Sequence, residues 1–183
     1  MCFVTLYALR RYVLVFFDDI LIYSSNRDQH YHHSNAVFQT LATNKLFAKY
    51  SKCIFGVDSV SYLGHIISPK GVEADPDKLQ AIQSWSEPSS LTTLRGFLGL
   101  IGYYRRFVRD YALIAAPLTD LLKHTVFKWT HVASRAFEQL KSSMVSLITL
   151  TLPNFNRPFE VTTDASNVAI GEVLSQEDKP IAF

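Results

Sequence analysis

An α+β fold is expected of this 183-residue chain. Three features point to it: two apolar runs back to back near the start, apolar residues at helical spacing through the middle, and short extended runs divided by turn residues at the end. Apolar residues make up 48% of the chain, enough to bury a core in one or two domains.

Residues 1–11 read as the end of a helix, with Val4, Tyr7 or Ala8, and Arg11 at helical spacing. In residues 12–25, Val13, Val15 and Phe17 share one strand face, and Tyr12, Leu14 and Phe16 share the other. Both faces are apolar, so this strand is expected to be covered on both sides. Ile20-Leu21-Ile22-Tyr23 follows at once, and Asp18 and Asp19 fill the junction of a tight hairpin. Favoured hairpin dipeptides contain glycine because their turns need positive φ, and Asp-Asp has none. Two carboxylates about 4 Å apart repel by about 4 kcal/mol at an effective dielectric near 20. A hard divalent cation would cancel that repulsion, which makes the pair a candidate metal site. The alternative is a solvated acidic turn.

Residues 26–45 read as a helix with Tyr31, Val37, Phe38, Leu41 and Ala42 close to one stripe. His30 and His33 are at i, i+3, but no cysteine, third histidine or carboxylate is spaced to complete a zinc site with them. Residues 47–68 read as a hairpin that turns at Gly56-Val57-Asp58-Ser59. Gly64 would then lie inside a strand, either where a backbone or ligand comes close or as a bulge against a helix.

Ser68-Pro69-Lys70-Gly71 is a turn, and Asp75 with Pro76 starts a helix carrying Leu79, Ile82 and Trp85 or Ser86 inward. Glu87-Pro88-Ser89-Ser90 ends it and offers a serine cap to the next. Residues 91–109 form the strongest helix, with Leu94, Phe97, Leu98, Ile101 and Tyr104 or Arg105 at i, i+3, i+4, i+7. Gly96, Gly99 and Gly102 each cost that helix up to about 1 kcal/mol against alanine, which suggests close approach of another backbone. Ala115-Ala116-Pro117-Leu118-Thr119 starts a short helix that ends near Lys123, and Phe127-Lys128-Trp129 is extended. Thr130 caps a helix over 132–147 with Ala133, Phe137, Leu140 and Met144 inward. A linker over 150–158 leads to strands at 159–164, 168–175 and 180–183.

The net charge of +2 says little, but its distribution says more. Residues 91–128 hold Arg95, Arg105, Arg106, Arg109, Lys123 and Lys128 against Asp110 and Asp120, whereas residues 129–183 are net acidic. A basic middle beside an acidic end suits nucleic acid lying on the middle. Cys2 and Cys53 give neither a disulfide framework nor a zinc spacing, which favours a reducing intracellular setting. No apolar run approaches a membrane span, and the apolar start has no cleavage site of the signal-peptide kind.

Several blocks, in order along the chain, resemble one family. Residues 12–24 (YVLVFFDDILIYS) resemble the metal-binding hairpin of the reverse transcriptase palm in its F-x-D-D form, as found in gypsy-type LTR retrotransposon Pol polyproteins. The resemblance continues through residues 46–53 (LFAKYSKC), Tyr62-Leu63-Gly64-His65, residues 94–100 (LRGFLGL) and residues 102–107 (GYYRRF). It ends in Thr163-Asp164-Ala165-Ser166 and Val173-Leu174-Ser175-Gln176. The resemblance implies partial palm hairpins over 1–70, a helical thumb or connection over 71–128, and over 129–183 a connection helix with the first strands of an RNase H-like domain.

It also implies roles. Asp18, Asp19 and Asp164 would be catalytic metal ligands for Mg2+ or Mn2+, with Asp18 the more direct ligand of the first pair. Tyr62, Leu63 and Gly64 would be the primer grip, and Tyr103, Tyr104, Arg105, Arg106 and Arg109 would contact an RNA or DNA primer-template duplex. By residue type alone, the arginines also suit a solvated basic face, and Asp164 a turn cap. Glu172 stands where the family has a small residue, and could crowd the site or point outward. The fingers, the first palm aspartate and the later RNase H carboxylates of the parent polyprotein are expected to be missing from the chain. Two other readings compete: a nucleic-acid-binding remnant without chemistry, and an unrelated phosphohydrolase built on Asp18 and Asp19.

Overall fold

The structure is a computed structural model that describes residues 11–165 and 170–183. The helix expected over 1–11 therefore lies almost entirely outside the described residues. The chain divides into two compact units, Met1–Leu63 and Gly64–Phe183.

In the first unit, β1 (Val13–Phe16) and β2 (Asp19–Ile22) form an antiparallel hairpin with Phe16 opposite Asp19. That register places Phe17 and Asp18 in the turn, not Asp18 and Asp19. Phe17 supplies the positive φ, at 49°. Helix α1 (Arg27–Thr43) starts at Asn26, whose side chain accepts from the Gln29 amide. Val37 and Leu41 of α1 pack on Val13, with Tyr12, Val15, Ile20 and Ile22 around them. The hairpin has one covered face, not two: Leu14 is 48% and Phe16 52% exposed. Tyr31, placed in the inward stripe by its spacing, is 71% exposed. The two histidines have structural partners. Ser24 Oγ lies 2.7 Å from His33 Nδ1 and 3.3 Å from His30 Nδ1, and the His33 ring stacks on Tyr12 at 3.7 Å.

The hairpin expected over 47–68 with a turn at 56–59 does not form. A short 3-10 turn, Tyr50–Lys52, follows α1, and β3 (Val60–Tyr62) ends the unit. The turn lies instead at Leu63-Gly64, both at positive φ (49° and 69°), directly before β4 (His65–Ser68). Gly64 thus marks a turn, where only glycine takes that backbone without strain.

In the second unit, β4 pairs with β5 (Gly71–Ala74) around Pro69-Lys70. The sequence reading has no strand at β5. Gly71 has φ 139°, and a Cβ there would lie 2.2 Å from the Leu150 carbonyl oxygen. Val72 and Leu150 exchange backbone hydrogen bonds of 2.8 and 2.9 Å. Leu150 is therefore buried as a third partner rather than part of a free linker. Gly71→Ala is expected to destabilise this unit by roughly 2–5 kcal/mol, the strain and the overlap acting together. Chemical denaturation of the parent and the variant in parallel checks this.

Helix α2 (Pro76–Gln83) has the expected Asp75 cap. Helix α3 (Leu91–Tyr103) opens on a capping box between Ser90 and Thr93 and buries Leu94, Phe97 and Ile101. It stops six residues earlier than its spacing predicts, and Arg105–Phe107 form a 3-10 turn. Among the described residues, no backbone of another element crowds its glycines. The Trp85 ring lies 3.4 Å from a Cβ built at Gly96 and the Tyr111 hydroxyl 3.5 Å from one at Gly102, while Gly99 faces open space. Helix α4 (Tyr111–Leu121) begins before the expected start and carries Pro117 inside it. The missing amide costs about 3 kcal/mol; burial of Ala115 and Leu118 on either side offsets it. Helix α5 (His131–Val145) has its Thr130 cap and buries Ala133, Phe137, Leu140 and Met144, as the sequence predicts.

Strands β6 (Glu160–Ala165), β7 (Ile170–Gln176) and β8 (Lys179–Ala182) form a three-stranded antiparallel sheet. The buried Gln176 side chain organises the segment before it. Its amide nitrogen donates to the carbonyls of Asn154, Arg157 and Pro158, and its oxygen accepts from the Asn154 amide. The mixed helix and sheet content bears out the α+β expectation.

Candidate nucleic-acid and metal sites

The Phe17–Asp19 segment concentrates charge at a strained point. A bulky residue at positive φ costs on the order of 1–3 kcal/mol and persists where neighbours enforce it. Here the hairpin register enforces it and leaves Asp18 at the exposed tip, with Asp19 opening β2. Tyr62, distant in sequence, shares this electrostatic environment. Its phenol pKa is raised first by burial and then by the negative charge of Asp19. The first unit thus links Asp19 to one residue of the expected primer grip.

Both aspartates present carboxylate oxygen, the donor class that Mg2+ and Mn2+ take, so the donor type fits a hard divalent ion. Among the described residues, no group of three or more His, Cys, Asp or Glu side chains converges. Two carboxylates would leave most of the coordination sphere to water or a bound ligand.

The second unit holds the basic segment. The rings of Tyr104 and Phe107 are buried and pack around the buried His65 ring at 5.5 and 5.6 Å. This anchors the 3-10 turn and directs Arg105, Arg106 and Arg109 to solvent. Arg106 sits over the Phe107 ring at 5.4 Å and Arg109 over the Phe183 ring at 5.6 Å. The Phe183 amide donates to the Arg106 carbonyl at 2.9 Å. Arg105 bears on Tyr111, whose phenol pKa is raised by burial against the lowering effect of that guanidinium. The cations therefore sit in a turn after α3, not along the helix face as their spacing predicts.

Tyr103 and Tyr104 part company. Tyr103 is 52% exposed, whereas Tyr104 is 1% exposed and donates its hydroxyl to the Gly64 carbonyl at 2.8 Å. The same carbonyl accepts from the Asp75 amide at 3.1 Å. Tyr104 is thus an internal anchor for the Gly64 turn, and the sequence reading of it as a nucleic-acid contact is corrected. The Tyr104 hydroxyl lies 3.1 Å from a Cβ built at Gly64, so a side chain from the end of α3 meets this glycine where a backbone or ligand was expected.

The Tyr104 phenol pKa is pushed up to about 12, first by burial and then by the charges of Tyr103 and Asp75. The unfolded chain therefore ionises at this residue first. Its contribution to stability is intact below pH 10 and is lost as the pH rises toward 12. Tyr104→Phe is expected to cost about 1 kcal/mol at neutral pH and to flatten that alkaline loss. Thermal melts across the alkaline range check both effects.

Asp164 lies near the end of β6, exposed, opposite Gly171. Glu172 pairs with Thr163, so alternation sends it to the other face from Asp164. This settles the crowding question: Glu172 does not share the Asp164 face. A carboxylate that the sequence reading missed comes closer. Asp110 Oδ1 lies 3.8 Å from a Cβ built at Gly171, the cross-strand partner of Asp164. Asp110 precedes α4 at φ 58° and makes no side-chain cap hydrogen bond there. No spacing in the sequence signals this approach, which depends on how α4 meets the sheet.

Residues 3–67 match the family described as reverse transcriptase (RNA-dependent DNA polymerase). Residues 129–183 match the RNase H-like domain found in reverse transcriptase. Among curated relatives, the Drosophila melanogaster retrovirus-related Pol polyprotein from transposon 297 is 41% identical over 96% of this chain. The chain belongs to the LTR retrotransposon Pol polyprotein family. The gypsy Pol polyprotein of the same organism is 39% identical over 92% of the chain. The chain spans 17% and 18% of the length of these two relatives. An uncharacterized mitochondrial protein of Arabidopsis thaliana is 49% identical over 69% of this chain and 82% of its own length.

Foamy viral protease-reverse transcriptase, solved in complex with double-stranded DNA, superposes with a TM-score of 0.86. That match is 24% identical and covers 99% of this chain and 40% of the viral one. The same viral enzyme has been solved with an RNA/DNA hybrid. At this identity the likeness establishes a shared fold.

Proposed function

We propose that this chain is part of an RNA-directed DNA polymerase with an attached ribonuclease H, acting on a primer-template duplex. The observation that carries the reading is the strained Phe17-Asp18 turn, with Asp18 at the hairpin tip and Asp19 opening β2 beside it, inside the segment that matches reverse transcriptase. Reverse transcriptases and ribonucleases H normally use divalent metal ions. Asp18 and Asp19 would hold such an ion, and Asp164 would hold one in the ribonuclease part. When bound, a metal pair of this kind activates the attacking hydroxyl and stabilises the leaving group of an in-line displacement.

The chain's own residues orient the duplex. Tyr62, Leu63 and Gly64 would carry the primer end, with the Tyr62 phenol, its pKa raised by burial and then by Asp19, as a hydrogen-bond donor. Gly64 is fixed by Tyr104 and the Asp75 amide. Arg105, Arg106 and Arg109 would neutralise phosphates, with Tyr103 beside them. The open side of Gly99 gives a duplex room along α3. In functional terms, residues 1–70 would serve as palm, 71–128 as thumb or connection, and 129–183 as connection helix and RNase H-like sheet.

A second reading, duplex binding without chemistry in this chain alone, is favoured by the exposure of both aspartates on a two-stranded hairpin. Primer extension on an RNA template separates the two. The 183-residue chain is run beside a longer polymerase of the family that carries this sequence. Extension by the long form alone supports the proposal. Extension by neither, with duplex bound by both, supports the second reading.

A further inference from the structure

We propose that residues 45–57 form a platform for single-stranded nucleic acid, with bases stacked on Phe47, Tyr50 and Phe55 and phosphates met by Lys45, Lys49 and Lys52. This segment lies in the first unit and plays no part in the site described above. Its rings are turned outward: Phe47 is 92%, Tyr50 83% and Phe55 48% exposed, and Ile54 is 66% exposed beside them. Large apolar side chains grouped this openly mark an interaction surface.

The backbone beneath them is tied down. The Leu46 amide donates to the Leu41 carbonyl at the end of α1, and the Tyr50–Lys52 turn is closed by Lys52 N to Lys49 O at 2.8 Å and Cys53 N to Tyr50 O at 3.0 Å. Tyr50 and Phe55 are stacked at 6.0 Å with 26° between their planes, and Phe38 of α1 lies 6.1 Å from Phe55. Tyr50 and Phe55 thus form a stacked pair backed by Phe38 of α1, and Phe47 is a further exposed ring of the same loop.

Charge decides the occupant. Lys45, Lys49 and Lys52 alternate with the rings, and no acidic residue occurs from Lys45 to Val57. Lysine is depleted at the centre of protein interfaces, where its charge must be desolvated. Alternating cations and exposed rings instead match a strand whose phosphates and base faces alternate in the same way. Base stacking on aromatic rings is tolerant of sequence, so the platform would hold unpaired template or displaced strand without reading it. A paired duplex hides its base faces and would gain only the lysine contacts.

The test uses the 183-residue chain and fluorescence anisotropy with a labelled oligo-dT, an oligo-U and a blunt duplex. Phe47→Ala/Tyr50→Ala is expected to weaken single-strand binding by about 10- to 100-fold and to change duplex binding by less than about two-fold. Tyr50→Trp is expected to retain single-strand affinity, with its fluorescence quenched by the stacked base. The triple Lys→Gln variant is expected to lower the single-strand salt slope by about 2, at roughly 0.7 per phosphate. Because these rings are exposed, the alanine variant should fold as the parent does, which circular dichroism checks. Unchanged single-strand affinity in the double alanine variant would overturn the proposal. So would an equal loss on duplex, or a loss of self-association with no change in oligonucleotide binding, which assigns the surface to a protein partner. Duplex binding by the parent chain is the separate control for the arginine site.

Discussion

In a polymerase of this family that carries the sequence, Asp18→Asn is expected to reduce primer extension by at least about 10³-fold. Asparagine keeps the size and one oxygen of the side chain but removes the charge that balances a divalent ion. Groups that act as a unit in a metal centre lose nearly all of the chemistry when one is removed, not a proportional share. Asp19→Asn is expected to do less, because Asp19 opens β2 beside Phe16 while Asp18 stands at the tip. It should also release part of the hold on Tyr62, whose phenol then titrates closer to its ordinary range. Single-nucleotide incorporation under single-turnover conditions, with duplex affinity measured in parallel, separates lost chemistry from lost binding. Extension by Asp18→Asn at the parent rate would remove the metal role from the hairpin.

Replacing Arg105, Arg106 and Arg109 together by alanine is expected to weaken duplex binding on the order of 10²-fold at 0.1 M salt. Each phosphate neutralised on B-form DNA contributes about −0.9 to the slope of log K against log salt. Three contacts therefore account for a slope change of about 2–3. The cations cost little to hold in place: Arg106 and Arg109 lie over Phe107 and Phe183, and the turn is fixed from below by the core. The variant should fold normally, since all three side chains are exposed. An unchanged slope would mean a solvated basic face. Gly99→Ala offers an independent check on α3. It should stabilise the free helix by up to about 1 kcal/mol and weaken duplex binding if a duplex lies on that open side.

The sequence was most legible where period and caps agree. Asp75, Ser90 and Thr130 each cap the helix expected of them, and α5 buries the residues its spacing picks out. It was least legible where backbone conformation depends on pairing partners far away. Asp-Asp looks like the junction of the first hairpin, yet the register of Phe16 with Asp19 moves the turn by one residue and strains Phe17. Strand β5 is four residues long, and Val72 is held by Leu150, too distant for any local pattern to show.

The same logic separates the site residues. Asp18 and Asp19 stand out because two charges interrupt a long apolar run. The adjacent Tyr103 and Tyr104 look alike in sequence, but the helix end turns one to solvent and the other onto Gly64. The approach of Asp110 to the Asp164–Gly171 pair has no local signature at all.

Metal binding at the Phe17-Asp18 turn, with Asp19 beside it, is the central requirement of the proposed function. Titration of the isotopically labelled 183-residue chain with Mn2+, read by paramagnetic broadening of backbone amide signals, tests that point directly. Broadening centred on Phe17, Asp18, Asp19 and Ile20, reaching Tyr62 and absent in Asp18→Asn, is the predicted result. Broadening centred on His30 and His33, or spread evenly over the exposed carboxylates with no change in Asp18→Asn, would contradict it.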